Sequence, residues 1–204
     1  MKRSREQIID YFREFIFGFI YGDIERCIKA QANYVVALAL LSYTEYIGGL
    51  ISGNLGLRKK SPENFRKALE YFPKDYIDLD SSIKVEYKDD KGKAITETGI
   101  YSLFRCGMVH EYFIKGFAII YNNPDGHTDE HIGILKKNYK IERPRALMSG
   151  RYPNNVLEFH TNEYFRDFKL AVNKILKLLT IDKDQELLKG FNKSLDRIYL
   201  RKIL

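Results

Sequence analysis

The sequence predicts a mainly α-helical bundle with a small β insertion around residues 117–160, in a single domain that spans residues 1–204. Three observations lead to this fold class. Apolar residues recur at three- and four-residue steps near the start of the chain. Tyr34–Leu41 is apolar on all sides, as is typical of a central bundle helix. Most of the short strand-like segments lie between residues 117 and 160, and the hydrophobic content of 45% is sufficient for a core.

The first two helices are predicted at residues 5–21 and 24–50. The first is expected to turn one apolar face inward, formed by Ile8, Ile9, Phe12, Phe15, Ile16, Phe19 and Ile20. Gly22 and Asp23 predict a break, with Asp23 as the N-cap of the second helix. The glycine-rich segment 48–56 is expected to end that helix, and it lacks the Gly-Lys-Ser/Thr of a phosphate loop.

The third helix is predicted to begin at Ser61 and Pro62 and to end before Pro73. Residues 83–87 alternate like a short strand and precede a turn signal at 89–92. This segment predicts either a small hairpin or a loop.

The second half of the chain predicts strands and then two helices. The strands are expected at 117–121, 132–135 and 156–160. A helix at 161–180, capped by Thr161 or Asn162, follows, and then a helix at 183–203. The inward residues of the first of these helices are expected to be Phe165, Phe168, Val172, Ile175, Leu176 and Leu179.

Between these halves, a predicted helix at 98–115 carries the most informative residues, Arg105 and His110. Its core stripe is expected to be Ile100, Leu103, Phe104, Gly107 and Met108. An arginine is rarely buried unless it is paired, and a histidine can transfer protons near neutral pH. The two side chains could therefore bind and cleave a phosphodiester. Alternatively, Arg105 has a structural role and pairs with Glu45. We favour a polar cleft, because Gly107 clears space beside the helix and no acid lies three or four positions before Arg105.

The pattern Arg105, four residues, His110 on an amphipathic helix of a small helical domain resembles the HEPN superfamily. The resemblance implies a homodimer in which two arginines and two histidines line one cleft. It also implies metal-independent RNA cleavage, with a role in defence or stress response. Cys106 stands directly after Arg105, where active members commonly carry a polar residue. The alternative function is a non-catalytic helical module that binds a protein partner or a nucleotide.

The charge of the chain suits a polyanionic partner. The formal net charge is +7, and the isoelectric point of about 9.2 agrees with RNA, DNA or an anionic membrane face as the partner. Candidate substrate-binding residues are Lys136, Lys137, Arg143 and Arg145, in a basic segment that also contains Tyr139 and Tyr152. Cations beside aromatic rings suit an RNA strand, and a solvated loop face is the equal alternative.

The remaining features predict a reduced, cytoplasmic protein without cofactors. Cys27 and Cys106 are expected to be free thiols. The most apolar segment, 34–51, contains Glu45 and is interpreted as a core helix, so no membrane partner is expected. His127 and His131 have a metal-like spacing, but they follow a turn signal and are interpreted as loop residues; no metal is expected.

Overall fold

The structure is a computed structural model that describes residues 2–88, 91–110, 118–121, 131–138 and 155–199. Within these ranges the chain is mainly helical and has two small sheets, which confirms the predicted class. The helical segments pack around one continuous apolar core.

The chain is helical without interruption from residue 5 to residue 29. It runs through α1 (Arg5–Tyr11), a π-helical segment π1 (Phe12–Tyr21) and α2 (Gly22–Lys29). The predicted break at Gly22 is therefore wrong, because Gly22 adopts ordinary right-handed helical angles, φ −60° and ψ −38°. The helix ends instead near Gln31, whose φ of +56° is incompatible with its continuation.

The π-helical turns also change which side chains face the core. Residues spaced by four are buried, namely Ile8, Phe12, Ile16, Ile20 and Ile24. In an α-helix a four-residue step would drift by about 40° around the axis, and the wider π turn reduces this drift. Phe15 and Phe19, which were predicted to face inward, are 37% and 59% exposed.

The helix α3 (Asn33–Ser52) lies at the centre of the bundle. It contacts α2 and the later helices α4 (Ser61–Leu69), α7 (Thr161–Thr180) and α8 (Gln185–Tyr199). Its first turn is not covered on all sides, because Val35 is 51% exposed. Among the described residues, α3 alone is long and apolar enough to cross a bilayer. Burial of Leu40, Leu41 and Leu50 within the bundle accounts for that composition.

The glycines near the end of α3 have two different roles. The helix ends at Gly53, whose φ is +74°, a left-handed conformation that favours glycine. Gly48 lies inside the helix, where an added Cβ would be only 1.6 Å from the carbonyl oxygen of Asn64 in α4. The glycine at position 48 therefore permits the close approach of α4.

The middle of the chain contains a helix that was not predicted and a hairpin, which was one of two alternatives for its segment. Helix α5 (Asp75–Ser82) follows α4. Strands β1 (Lys84–Lys88) and β2 (Ala94–Thr98) pair antiparallel, with Lys84 opposite Thr98, so the hairpin interpretation of this segment is confirmed.

The predicted β insertion contains three described strands, β3 (Ala118–Tyr121), β4 (Ile134–Asn138) and β5 (Asn155–His160). They form a sheet in the order β3-β5-β4, in which β3 is parallel and β4 antiparallel to β5. Helix α7 (Thr161–Thr180) begins directly after β5, and its N-cap is His160 rather than the predicted Thr161 or Asn162. Five of its six predicted inward residues are buried, and Leu176 is partly buried.

Candidate functional site

The helix that carries Arg105 and His110, which we call the motif helix, packs on the bundle as predicted. It consists of a π-helical segment, π2 (Tyr101–Cys106), and a described α-helical turn, α6 (Gly107–His110). All residues of the predicted core stripe are buried. The Tyr34 hydroxyl of α3 donates a hydrogen bond to the Met108 carbonyl and fixes the position of α6 against α3.

Arg105 forms an ion pair with Glu45 of α3. The Arg105 Nε and Glu45 Oε2 atoms are 3.0 Å apart, and the side chains are 21% and 18% exposed. Both atoms are buried without a well-aligned hydrogen bond, so the contact is mainly electrostatic. The alternative in which Arg105 pairs with Glu45 is therefore confirmed, and the favoured expectation of a cleft arginine without an acidic partner is wrong. The absence of an acidic residue three or four positions before Arg105 was a poor guide to its partner, because Glu45 comes from a different helix.

The other predicted site residues are only partly described. His110 is the last described residue of α6, and its side chain lies outside the described part of the chain. Lys136 is an exposed residue of β4, whereas only the backbone of Lys137 is described. Arg143 and Arg145 lie outside the described residues, as does His127. The grouping of the basic residues around Arg105 therefore stays a prediction.

A cleft of about 580 Å³ lies beside the motif helix. Cys106 contributes to its wall, together with residues of α4, α5 and β2. Arg66 is 64% exposed at this cleft and lies 3.9 Å from Asp80. The Asp80 carboxylate also accepts a hydrogen bond from the backbone amide of Ile100, and so it anchors the start of the motif helix.

A second group of chemically active side chains lies where β5 joins α7. We call it the α7 polar cluster, and its members are His131, Glu158, His160, Glu163, Arg166 and Asp167. Glu158, Glu163 and Asp167 are only 1–2% exposed. Buried carboxylates are costly unless they are paired, and they occur often at functional sites.

One half of the α7 polar cluster fixes the junction of three elements. The Asp167 carboxylate accepts hydrogen bonds from the Tyr76 hydroxyl of α5 at 2.8 Å and from the Gly133 amide at 3.2 Å. Arg166 pairs with Asp167 at 2.9 Å and donates to the His131 carbonyl at 2.8 Å. Burial and the nearby Asp167 charge raise the pKa of Tyr76 well above its usual value. The hydrogen bonds of Asp167 and Arg166 thus hold this half of the cluster in place.

The other half gathers imidazole and carboxylate groups. His160 Nε2 lies 2.9 Å from Glu158 Oε2, and His131 Nδ1 lies 3.0 Å from the Ile132 carbonyl oxygen. The ring of Tyr121 stacks on His160 with 4.9 Å between centroids. One potential ligand atom each from His131, His160 and Glu163 lies within 4.8 Å of the others.

The sequence analysis missed this cluster, although the sequence contains a signal for it. Glu158, His160 and Glu163 follow each other at steps of two and three across the predicted junction of a strand and a helix. Glu158 and His160 are two residues apart in a strand, so their side chains lie on one face of the sheet. Glu163 lies in the first turn of the helix that follows and can reach the same side. His131 was considered only with His127, its neighbour in sequence, whereas its partners come from β5 and α7.

Comparisons with known proteins add no assignment: no protein-family model, curated protein or solved structure matches this chain.

Proposed function

We propose that the chain is a metal-independent RNA endonuclease of the HEPN type that acts as a homodimer. The observation that carries the proposal is the placement of Arg105 on the same helix as His110. Glu45 engages the Nε side of the guanidinium at 3.0 Å. A guanidinium has four further N–H donors, and none of them is among the buried unpaired atoms of the described residues. An arginine held at one edge presents its other edge to a phosphate in a fixed orientation.

In this mechanism the 2′-hydroxyl of the ribose attacks the adjacent phosphorus. The 2′-oxygen forms a new bond to phosphorus, and the bond from phosphorus to the 5′-oxygen breaks. His110 exchanges a proton with the 2′-hydroxyl or with the leaving 5′-oxygen. Arg105 stabilises the negative charge that develops on the phosphate. The products are a 2′,3′-cyclic phosphate end and a 5′-hydroxyl end.

Two further observations support a homodimer with this helix near the two-fold axis. Tyr34 contacts the Met108 carbonyl, so Val35 and Val109, the next residue on each helix, belong to the same region. Both are large apolar residues, and they are 51% and 43% exposed. Burial of an apolar surface beside His110 would favour the association of two copies.

The test is cleavage of a fluorescent single-stranded RNA by the purified full chain in the presence of EDTA. His110→Ala should lower the rate by at least ~10²-fold, as expected for loss of a general acid or base. Arg13→Ala, which removes an exposed arginine, is the matched charge control and should keep the wild-type rate. Cleavage that requires Mg²⁺, or that survives in His110→Ala, would overturn the mechanism.

The second candidate function is a non-catalytic HEPN-like module that binds a protein partner or a nucleotide. The Arg105–Glu45 ion pair favours it, because an arginine that neutralises a partly buried carboxylate has a sufficient structural role. A wild-type chain that is folded and dimeric but cleaves none of a mixed RNA pool would support this candidate. Detection of cyclic phosphate ends would refute it.

A further inference from the structure

We infer that His131, His160 and Glu163 form a binding site for one divalent transition-metal ion, of which Zn²⁺ is the test case. This site is separate from the residues assigned to RNA cleavage. Two imidazoles and one carboxylate are a donor set that binds Zn²⁺ with a fourth position left for water. The same donor set disfavours Mg²⁺, which prefers oxygen ligands.

The distances between the three groups fit a site that needs only a small contraction. Their potential ligand atoms lie within 4.8 Å of one another. In a tetrahedral site with bonds of about 2.0–2.2 Å, ligand atoms are about 3.3–3.6 Å apart. His131 and His160 are both partly exposed, which leaves their rings room to adjust when an ion binds.

Hydrogen bonding fixes which nitrogen of each ring can bind a metal. A carbonyl and an ionised carboxylate accept hydrogen bonds and cannot donate them. Both contacts are satisfied when His131 Nδ1 carries its proton towards the Ile132 carbonyl and His160 Nε2 carries its proton towards Glu158. In each neutral ring the lone pair is then on the other nitrogen. A buried carboxylate behind a histidine is the arrangement that orients metal-binding imidazoles and makes them more basic.

The electrostatics of the surroundings favour a cation. The described part of the α7 polar cluster contains three buried carboxylates, from Glu158, Glu163 and Asp167, and one guanidinium, from Arg166. A divalent ion between the imidazoles and Glu163 would place positive charge beside the buried Glu163 carboxylate. Glu163 also lies in the first turn of α7, where a carboxylate interacts favourably with the helix dipole, and this is a structural role that needs no metal. Metal titration separates these two roles.

The three proposed ligands come from three different segments, so a bound ion would cross-link them. His131 precedes β4, His160 ends β5, and Glu163 lies in α7. The Gly133 carbonyl already accepts a hydrogen bond from the His160 amide at 2.8 Å, so β4 and β5 are in register at this point. The ion would join the ends of β4 and β5 to the start of α7, and its binding should raise the thermal stability of the folded chain.

The experiment titrates Zn²⁺ into the chelator-treated full chain by calorimetry, with Mg²⁺ as the ion control. We expect one Zn²⁺ per chain, a raised melting temperature and no response to Mg²⁺. Substitution by Co²⁺ gives a second readout, a visible absorption band typical of nitrogen and oxygen ligands. A wild-type chain that binds no Zn²⁺, or that binds Mg²⁺ equally well, would overturn the inference.

Matched variants identify the ligands. His160→Gln and His131→Gln should each abolish stoichiometric binding and the Co²⁺ band, and Glu158→Gln should weaken binding by about 10–100-fold. Cys27→Ser and the exposed-carboxylate variant Glu25→Gln should bind like the wild type. Circular dichroism checks the fold of each variant, and His131→Gln, at a partly exposed position, provides the test if a more buried variant does not fold. Binding that persists in both histidine variants would show an adventitious ion only. The titration contains no RNA, so a failed nuclease proposal leaves its outcome unaffected.

Discussion

At the scale of single residues, Arg105 and Glu45 determine how the motif helix is held. The pair joins π2 to α3 through Nε and Oε2, atoms that are buried but poorly aligned for a hydrogen bond. A charge pair of this kind adds little stability when intact, because desolvation offsets the attraction. Removal of one partner is more costly, because it leaves the other charge without compensation.

We therefore expect Arg105→Ala to lower the free energy of unfolding by about 1–3 kcal/mol, less than for a fully buried pair because about one fifth of each side chain is exposed. The double variant Arg105→Ala/Glu45→Ala should be more stable than the sum of the single changes implies. Urea denaturation of all four proteins measures this coupling.

The control for this cycle is the exposed pair of Arg26 and Asp23, whose side chains are 71% and 51% exposed. Its double-variant cycle should give a coupling of about 0.5 kcal/mol or less. Strict additivity at Arg105 and Glu45 would contradict a structural role for the pair. Arg105 would then be left with the role assigned to it in RNA cleavage.

At the scale of elements, two glycines give opposite predictions for the same substitution. Gly48→Ala should destabilise the fold by about 1–3 kcal/mol or more, because the new Cβ would overlap the Asn64 carbonyl oxygen at 1.6 Å. Gly22→Ala should stabilise it by about 0.5–1 kcal/mol, because this glycine lies inside a helix and its new Cβ would be 3.6 Å from the flexible Arg26 side chain. Thermal melts measure both changes. A stable Gly48→Ala variant would mean that α3 and α4 are not in close contact.

The elements also show what the sequence can and cannot predict. The apolar pattern located α3, α7 and the strands, because burial repeats with the period of each element. The sequence wrongly predicted a break before α2, because Gly22 adopts helical angles. It also wrongly predicted that Phe19 faces inward, because the π-helical turns change the spacing of the buried residues. The α7 polar cluster was predictable only in part. Its members in β5 and α7 are close in sequence, but His131 joins them through the pairing of β4 with β5, and local patterns contain no information on that pairing.

At the scale of the whole molecule, buried tyrosines predict a limit to stability at alkaline pH. Burial raises the pKa of both Tyr76 and Tyr164 above the usual phenol value, so both stay protonated in the folded chain. In the unfolded chain they ionise near pH 10. The stability that comes from keeping these two tyrosines protonated in the fold is fully present below pH 10. Above pH 10 the unfolded chain loses the tyrosine protons and the folded chain keeps them, so the free energy of unfolding falls by about 1.4 kcal/mol per pH unit for each tyrosine.

Denaturation between pH 8 and pH 11.5 measures this effect, with the absorbance of ionised tyrosine near 295 nm as a parallel signal. The unfolding free energy should be flat up to about pH 10 and then fall steeply. Tyr76→Phe should be less stable at neutral pH, because it loses the bond to Asp167, but its decline above pH 10 should be shallower. An equal slope in the variant would contradict the assignment to Tyr76.

The proposed homodimer is a second property of the whole molecule. Light scattering at micromolar concentration should give twice the chain mass of 24.0 kDa. Val109→Asp, which puts a charge on the exposed apolar surface beside His110, should shift the mass towards that of one chain. The control Ile181→Asp changes a residue that is 60% exposed on a different element. A strict monomer at all concentrations would contradict the dimer.

The contact between the two ends of the described chain has a consequence for biosynthesis. Arg3 pairs with Asp196 at 2.9 Å, and the rings of Tyr11 and Phe12 contact Phe191. A ribosome that adds roughly 5–20 residues per second needs roughly 10–40 s between Phe12 and Phe191. During that time the apolar face of the first helix lacks the covering of α8. The first helix therefore cannot complete its packing until most of the described chain has been synthesised.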